Sequence, residues 1–198
     1  PRMSAEELDL SYWEKRWSDR QTGWDIGYAS TPIKTYFDQV EDKSKRILIP
    51  GCGNAWEGEY LHRTGFENVH LIDIAPTAVQ QIQERIPHLP KERVILGDFF
   101  ALEGSYDYIV EQTFFCALEP TRRMEYAAKV HDLLAPGGRL VGVMFDTDFG
   151  NDHPPFGGTK SEYVNYFEGL FDIHVMDTAH NSIKPRQGKE LFINLQRP

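Results

Sequence analysis

Short apolar runs that stop at a glycine or an acid alternate with helix-length amphipathic segments along most of the chain. This alternation is the strongest constraint on the fold. Strands separated by helices pair in parallel, and a parallel sheet needs helices on both faces. Strands are expected at residues 46–50, 69–74, 93–96, 106–110 and 140–145, with helices at 55–64, 76–86 and 120–134 between them. Two further strands, 171–177 and 190–196, have no helix-length segment between them and should pair antiparallel. The expected fold is α/β: a doubly wound, Rossmann-like, seven-stranded sheet, mostly parallel, with an antiparallel C-terminal strand. Ser4 with Glu7 and Thr159 with Glu162 read as capping boxes for helices running to about Arg20 and Gly169. Thr31-Pro32 reads as the N-cap and first position of another helix.

The first strand ends in Pro50-Gly51-Cys52-Gly53. Glycines at the carboxyl end of a strand let a ligand approach the backbone, and ligands of doubly wound sheets bind at that edge. A tight turn without a ligand has the same pattern, so later strands carry the argument. Asp73, followed by Ile74, closes the second strand 22 residues after Gly51, where an acid can accept from ribose hydroxyls. Asp98 follows the third strand, and its neighbour Phe99 offers a ring for an adenine. Glu111 and Gln112 end the fourth. Four successive strands ending in polar residues on one edge outline a crevice for an adenosine-bearing ligand.

A dinucleotide-binding turn needs a third glycine, where its helix meets the pyrophosphate. Trp56 occupies that place. S-adenosylmethionine has no phosphate and does not need the glycine, so the methyl donor fits better than a nicotinamide dinucleotide. Trp13 and Trp17 lie one helical turn apart, and Trp24 follows in a Gly-Trp-Asp loop. The three can dock an N-terminal helix on the core. They can also form a lid whose aromatic faces attract the donor's sulfonium by about 0.5–2 kcal/mol.

Tyr12-Trp13-Glu14-x-x-Trp17, Gly23-Trp24-Asp25-x-Gly27 and Leu48-Ile49-Pro50-Gly51-Cys52-Gly53 resemble the thiopurine methyltransferase superfamily. Thr113-Phe114-Phe115-Cys116-Ala117-Leu118-Glu119-Pro120 and Pro185-x-x-Gly188-Lys189-Glu190 resemble its thiol and halide methyltransferases. The likeness spans nearly the whole chain. It implies S-adenosylmethionine as methyl donor, with S-adenosylhomocysteine as product, and a small soft acceptor: a thiol, sulfide or thiocyanate, with halide or thiopurine as further members. It implies that Trp13, Trp17 and Trp24 line the donor pocket and that the Gly51-Cys52-Gly53 turn meets the methionine part. Asp73 would hold the ribose, Asp98 and Phe99 would flank the adenine, and Gln112 would lie beside the donor, with Ile74 and Glu111 as further donor-pocket candidates. Phe145, His153 and Phe156 are the acceptor-pocket candidates. Two departures stand out. Phe145 occupies the place of a tyrosine in halide-using relatives, and Asn54-Ala55-Trp56-Glu57 replaces a glycine-richer loop. His153-Pro154-Pro155-Phe156 is similar to the Asn/Asp-Pro-Pro-aromatic signature of amino-group methyltransferases, but it follows the fifth strand rather than the fourth and reads as a loop over the acceptor.

Soft nucleophiles need no strong base, and no His/Asp pair stands at a strand end. An O- or N-methyltransferase would need a base or an amine-binding acid, for which His153, Asp148 or Asp152 could serve. A nicotinamide-dependent oxidoreductase is disfavoured by the missing glycine and by the lack of a Tyr-x-x-x-Lys pair. A donor-binding module without catalysis would need a closed acceptor pocket. The 198 residues fit one domain, 1–198, with 1–31 as N-terminal helix and lid. A net charge of −9 with only short basic groups speaks against nucleic acid. The longest apolar run falls short of a membrane span, and Pro1–Leu10 has no signal-peptide core. Two cysteines suit a reducing, cytoplasmic setting. A monomer acting on a small molecule, with no metal, is the expectation.

Overall fold

A computed structural model describes residues 1–198. Its sheet runs in the order β3-β2-β1-β4-β5-β7-β6. β1 (Arg46–Pro50), β2 (Asn68–Asp73), β3 (Val94–Leu96), β4 (Tyr106–Glu111) and β5 (Leu134–Phe145) pair in parallel. β7 (Glu190–Gln196) inserts antiparallel between β5 and β6 (Asp172–Thr178). The helices are α1 (Leu10–Ser18), α2 (Thr31–Phe37), α3 (Trp56–Arg63), α4 (Pro76–Arg85), α5 (Arg123–Leu133) and α6 (Lys160–Phe167). The first crossovers lead from β1 outward to β3. The chain then returns to β4 on the other side of β1, so the sequence direction reverses between β1 and β4. In an open α/β sheet such a reversal leaves a crevice at the carboxyl ends of the strands.

Two apolar clusters cover the two faces of the sheet. One packs Leu48, Ile109 and Leu140 against Tyr126 and Val130 of α5 and Tyr163 and Phe167 of α6. The other packs Ile47, Ile49, Val69 and Val141 against Ile33 and Phe37 of α2, Leu61 of α3 and Ile82 of α4. Alternation along β1 sends Leu48 to one face and Ile47 and Ile49 to the other. All three are fully buried, which is why this strand reads as continuously apolar.

Three of the departures from the expected element boundaries have a local cause. The Ser4 and Glu7 capping box forms, with Ser4 N–H donating to the Glu7 carboxylate at 2.7 Å. It closes a turn rather than a helix. α1 begins at Leu10, because Asp9 accepts from Tyr12 N–H and supplies the cap. Ser30, not Thr31, stands at the N-cap of α2. The chain after α5 re-enters the sheet at Leu134, because 134–138 run on beside β4 through a bulge between Tyr106 and Tyr108. Thr159 caps α6 through Glu162 N–H, as its capping box predicts.

β4 and β5 approach closely at Gly142, paired with Glu111. A Cβ there would lie 2.0 Å from the Glu111 carbonyl oxygen. Gly142→Ala should therefore cost about 3 kcal/mol of stability in urea unfolding. Gly169→Ala, where the added methyl meets open space, should stay within about 0.5 kcal/mol. An unaffected Gly142 variant would mean that the two strands pair in another register.

Candidate functional site

The crevice opens into a cavity of about 720 Å³ at the carboxyl edge of the sheet. Pockets for small organic ligands run from about 300 to 1,000 Å³. The turn after β1 forms its floor. Gly51 and Gly53 both take positive φ, +57° and +53°. A Cβ on Gly51 would come within 2.3 Å of the Phe114 ring, so only glycine leaves this wall intact. The Asp73 carboxylate at the end of β2 accepts from Gly53 N–H at 3.0 Å and Ala75 N–H at 2.9 Å. Burial raises its pKa against these hydrogen bonds. Ile74, Asp98 and Phe99 continue the wall toward β3. Asp98 also accepts from Phe100 N–H at 2.9 Å.

α1 and the following loop roof this floor. Glu14 accepts from Thr77 N–H at 3.0 Å and so docks α1 on α4. Trp13 and Trp17 meet Trp24 edge-on, with centroids 5.7 and 5.9 Å apart, and all three line the cavity. Asp25 fastens the loop. Its carboxylate accepts from Trp56 Nε1 at 2.6 Å and from the Asn54 side-chain amide. Trp56 is not part of the cavity wall. It ties the glycine-turn segment to the roof and lies beneath the Arg85 guanidinium at 3.8 Å.

The other half of the wall comes from loops after β4 and β5 and before β7. Thr113, Phe114, Cys116, Leu118 and Glu119 follow β4. Phe145 ends β5, Phe149 and His153-Pro154-Pro155 follow it, and Pro185, Arg186 and Lys189 precede β7. Phe149 meets Phe145 edge-on with centroids 5.0 Å apart. The Arg186 guanidinium lies 5.2 Å from the Phe145 ring and donates to the Trp24 carbonyl at 3.2 Å. Burial pushes the Cys116 thiol up to about 12. Glu119 is held by an ion pair to Arg2 at 2.8 Å and by Thr121 N–H.

Four of the expected residues stand outside this cavity. The Glu111 carboxylate turns back under its own loop. It accepts from Phe114 N–H at 2.9 Å, Phe115 N–H at 3.1 Å and Tyr126 OH at 2.5 Å, and is 1% exposed. Gln112 borders a separate small void behind the loop. The Cys52 side chain packs into the cluster under α2, α3 and α4. Phe156 is core. Its N–H donates to the Cys116 carbonyl at 2.7 Å, and its own carbonyl accepts from the buried Arg123. Arg123 also pairs with Glu162 at 2.5 Å and so fixes the 153–158 loop. Of the alternative base candidates, His153 reaches the wall, whereas Asp148 and Asp152 do not. Arg16, Phe114 and Phe149 were missed as wall residues, and Asp25 was missed as the roof's fastener. Asp25 and Phe114 each had a signal, their places in the Gly-Trp-Asp and Thr-Phe-Phe-Cys strings.

The family model for "Thiopurine S-methyltransferase (TPMT)" matches residues 8–195. The chain belongs to the thiopurine S-methyltransferase family. It is an S-adenosylmethionine-dependent methyltransferase. Probable thiol methyltransferase 2 of Arabidopsis thaliana is 32% identical over 185 residues, covering 90% of this chain and 81% of the relative. Thiocyanate methyltransferase 1 of Brassica oleracea is 29% identical, covering 93% and 84%. Among solved structures, the 1,6-didemethyltoxoflavin-N1-methyltransferase of Burkholderia thailandensis superposes with a TM-score of 0.79 at 16% identity, covering 100% of this chain and 92% of that one. That likeness extends the agreement on fold. No helix is long and apolar enough to cross a membrane.

Glu111 generates a pH prediction. Burial pushes its carboxyl up to about 7 from an ordinary 4.5, outweighing its three hydrogen bonds. Between those values the folded chain keeps a proton that the unfolded chain has released, so stability falls as pH rises through that window. Glu111→Gln should flatten the decline by about 1–3 kcal/mol between pH 5 and 7.5 in urea titrations. Equal slopes would mean that Glu111 ionises normally.

Proposed function

We propose that this methyltransferase transfers its methyl group to a small, soft, anionic sulfur nucleophile, a thiolate, hydrosulfide or thiocyanate. The observation that carries the reading is the make-up of the wall from β5 and β7. It combines the aromatic faces of Phe145 and Phe149 with the cations Arg186 and Lys189, includes no carboxylate, and has His153 as its one neutral-range base. Such a surface attracts an anion, and its lone His153, with no carboxylate beside it in the wall, is a weak base for a hydroxyl and no binder for an ammonium group. The sulfur acceptors named in the family and in the two plant relatives agree with it.

The cavity fits the donor on its own geometry. Gly51 and Gly53 leave room for a ligand against the turn, Asp73 offers a buried acceptor, and Phe99 offers a ring face. When bound, S-adenosylmethionine supplies a methyl group on a sulfonium, open to in-line attack. Asp73 would accept from the ribose hydroxyls, with Ile74 beside them. The turn backbone would meet the methionine part, and Asp98 and Phe99 would flank the adenine. The faces of Trp13, Trp17 and Trp24 would shield the sulfonium from water and attract its charge. Phe145 and Phe149 would confine the acceptor so that attack is in line, where positioning supplies most of the rate. Cys116, held as a neutral thiol by burial, does not compete as a nucleophile. Residues 1–31 act as the lid of a single domain. The reading takes the chain as a working monomer, and the two free cysteines suit a cytoplasmic setting.

Asp73→Ala should weaken S-adenosylhomocysteine binding at least about tenfold in calorimetry, since hydrogen bonds to a carboxylate are charge-assisted. Unchanged affinity in a folded variant would remove Asp73 from the site. In an acceptor panel with labelled donor, sulfide, thiols and thiocyanate should outrun iodide, and a catechol should hardly react. Phe145→Tyr restores a hydrogen-bond donor and should raise iodide turnover relative to thiol turnover. Preference for a catechol or an amine would refute the sulfur reading and leave the methyltransferase assignment standing.

A further inference from the structure

A small void lies behind the wall that β5 and the segment before β7 build. Gln112, Thr113, Arg186 and Glu190 are its polar lining, beside Glu111 and Cys116. Thr113, Cys116, Phe145 and Arg186 border the main cavity as well, so these four residues form the partition between the two spaces. The void measures about 10 Å³, about the least that holds one water. Gln112 Oε1 is buried and meets no donor, so a water in the void has an acceptor beside it.

The Glu190 carboxylate is 3% exposed. Its ion-pair partner, Arg186 Nη1, stands 3.8 Å away, beyond hydrogen-bond reach. Glu111 borders the same void, but its oxygens are taken by Phe114 N–H, Phe115 N–H and Tyr126 OH. Burial keeps Cys116 a neutral thiol. Glu190 is therefore the carboxylate at the void with oxygens to spare. Thr113 marks the crossing from the cavity. It holds a φ of +52°, which a β-branched residue rarely adopts. Strain of this kind collects at functional sites. A threonine hydroxyl can accept a hydrogen bond on one side and donate on the other.

We propose that Glu190 takes up the proton of a thiol acceptor, passed from the cavity by the Thr113 hydroxyl and one water in the void. This rests on the sulfur reading of the acceptor. Near pH 7 an alkyl thiol is only slightly ionised, so it mostly arrives with its proton. The acceptor sulfur gives that proton to Thr113 Oγ as the hydroxyl passes its own to the water, and the water passes one to Glu190. The pair left on sulfur closes on the methyl carbon. The bond from methyl to sulfonium breaks, and its pair stays on the donor's sulfur. Glu190 then returns the proton to solvent. Burial raises the Glu190 pKa and the Arg186 charge opposes the rise, so the carboxyl moves toward the range that suits a base.

Acceptors with and without a proton separate this role from a structural one. Thiocyanate is already an anion and has no proton to give. Near pH 7, Glu190→Gln should lower kcat/KM for an alkyl thiol about 10–100-fold. Its thiocyanate turnover should not fall, since the lost carboxylate leaves Arg186 its full charge. The thiol deficit should close above the thiol's own pKa, where the acceptor arrives ionised. Glu190→Asp should recover part of the loss. Thr113→Val keeps the branched shape and spares the ion pair, and it should also lower the ratio of thiol to thiocyanate turnover. Equal losses for both acceptors, or an unmoved ratio in either folded variant, would overturn the assignment. So would the same selective loss in His153→Gln with none in Glu190→Gln. A native chain that methylates neither acceptor would instead overturn the sulfur reading.

Discussion

The site depends on one buried carboxylate. Asp73 ends β2 and accepts from backbone N–H groups of the turn after β1 and of the segment that starts α4. Two loops from neighbouring strands thereby share one acceptor. The turn they frame holds both glycines at positive φ, a conformation with little stabilisation of its own. Burial works against the charge on Asp73, and the hydrogen bonds work for it. The same arrangement leaves the carboxylate in the cavity wall, where a ribose can add hydroxyl donors to its remaining lone pairs.

Glu111 has the equivalent place on β4 and a different use. It too accepts from loop N–H groups, those of Phe114 and Phe115, but Tyr126 of α5 takes its other oxygen. The carboxylate is drawn under the loop and out of the cavity. It shapes the wall indirectly by holding Phe114 where that ring meets Gly51. Two acids at two strand ends thus divide the work, one facing the cavity and one spent on the architecture. The partners that decide between them lie 15 and more residues away in the chain, on an element packed by tertiary folding.

The roof is built by polar tethers as much as by its tryptophans. Glu14 fixes α1 to α4, Asp25 fixes the next loop to Asn54 and Trp56, and Arg186 reaches the Trp24 carbonyl from the segment before β7. These contacts span 29 to 162 residues of sequence. The last of them joins the roof to the wall built after β5 and before β7, so the two halves of the cavity are mechanically connected. Polar tethers of this kind exchange with water more readily than apolar packing, which suits an element that must admit a ligand.

Much of the fold was legible because periodicity and chain breaks act locally. The seven strands, the antiparallel final pair and the Thr159 cap follow from apolar spacing, glycine and the lack of a helix between residues 178 and 190. Gly51, Gly53 and Asp73 were legible for the same reason, since each lies at a strand end whose direction the alternation sets. The Ser4 and Glu7 pair misled because a capping box can close a single turn, and Asp9 offered a better start for α1. Cys52, Glu111, Gln112 and Phe156 misled because a strand end or a motif gives a residue's neighbourhood but not the direction of its side chain. The sequence by itself determined the sheet, its ligand-binding edge and the adenosine-type donor. Tertiary packing alone decided which side chains face the cavity. An orientation is settled by partners on other elements, as Tyr126 turns Glu111 away and Trp24 packs beside Arg16, and those partners meet only when the chain has folded.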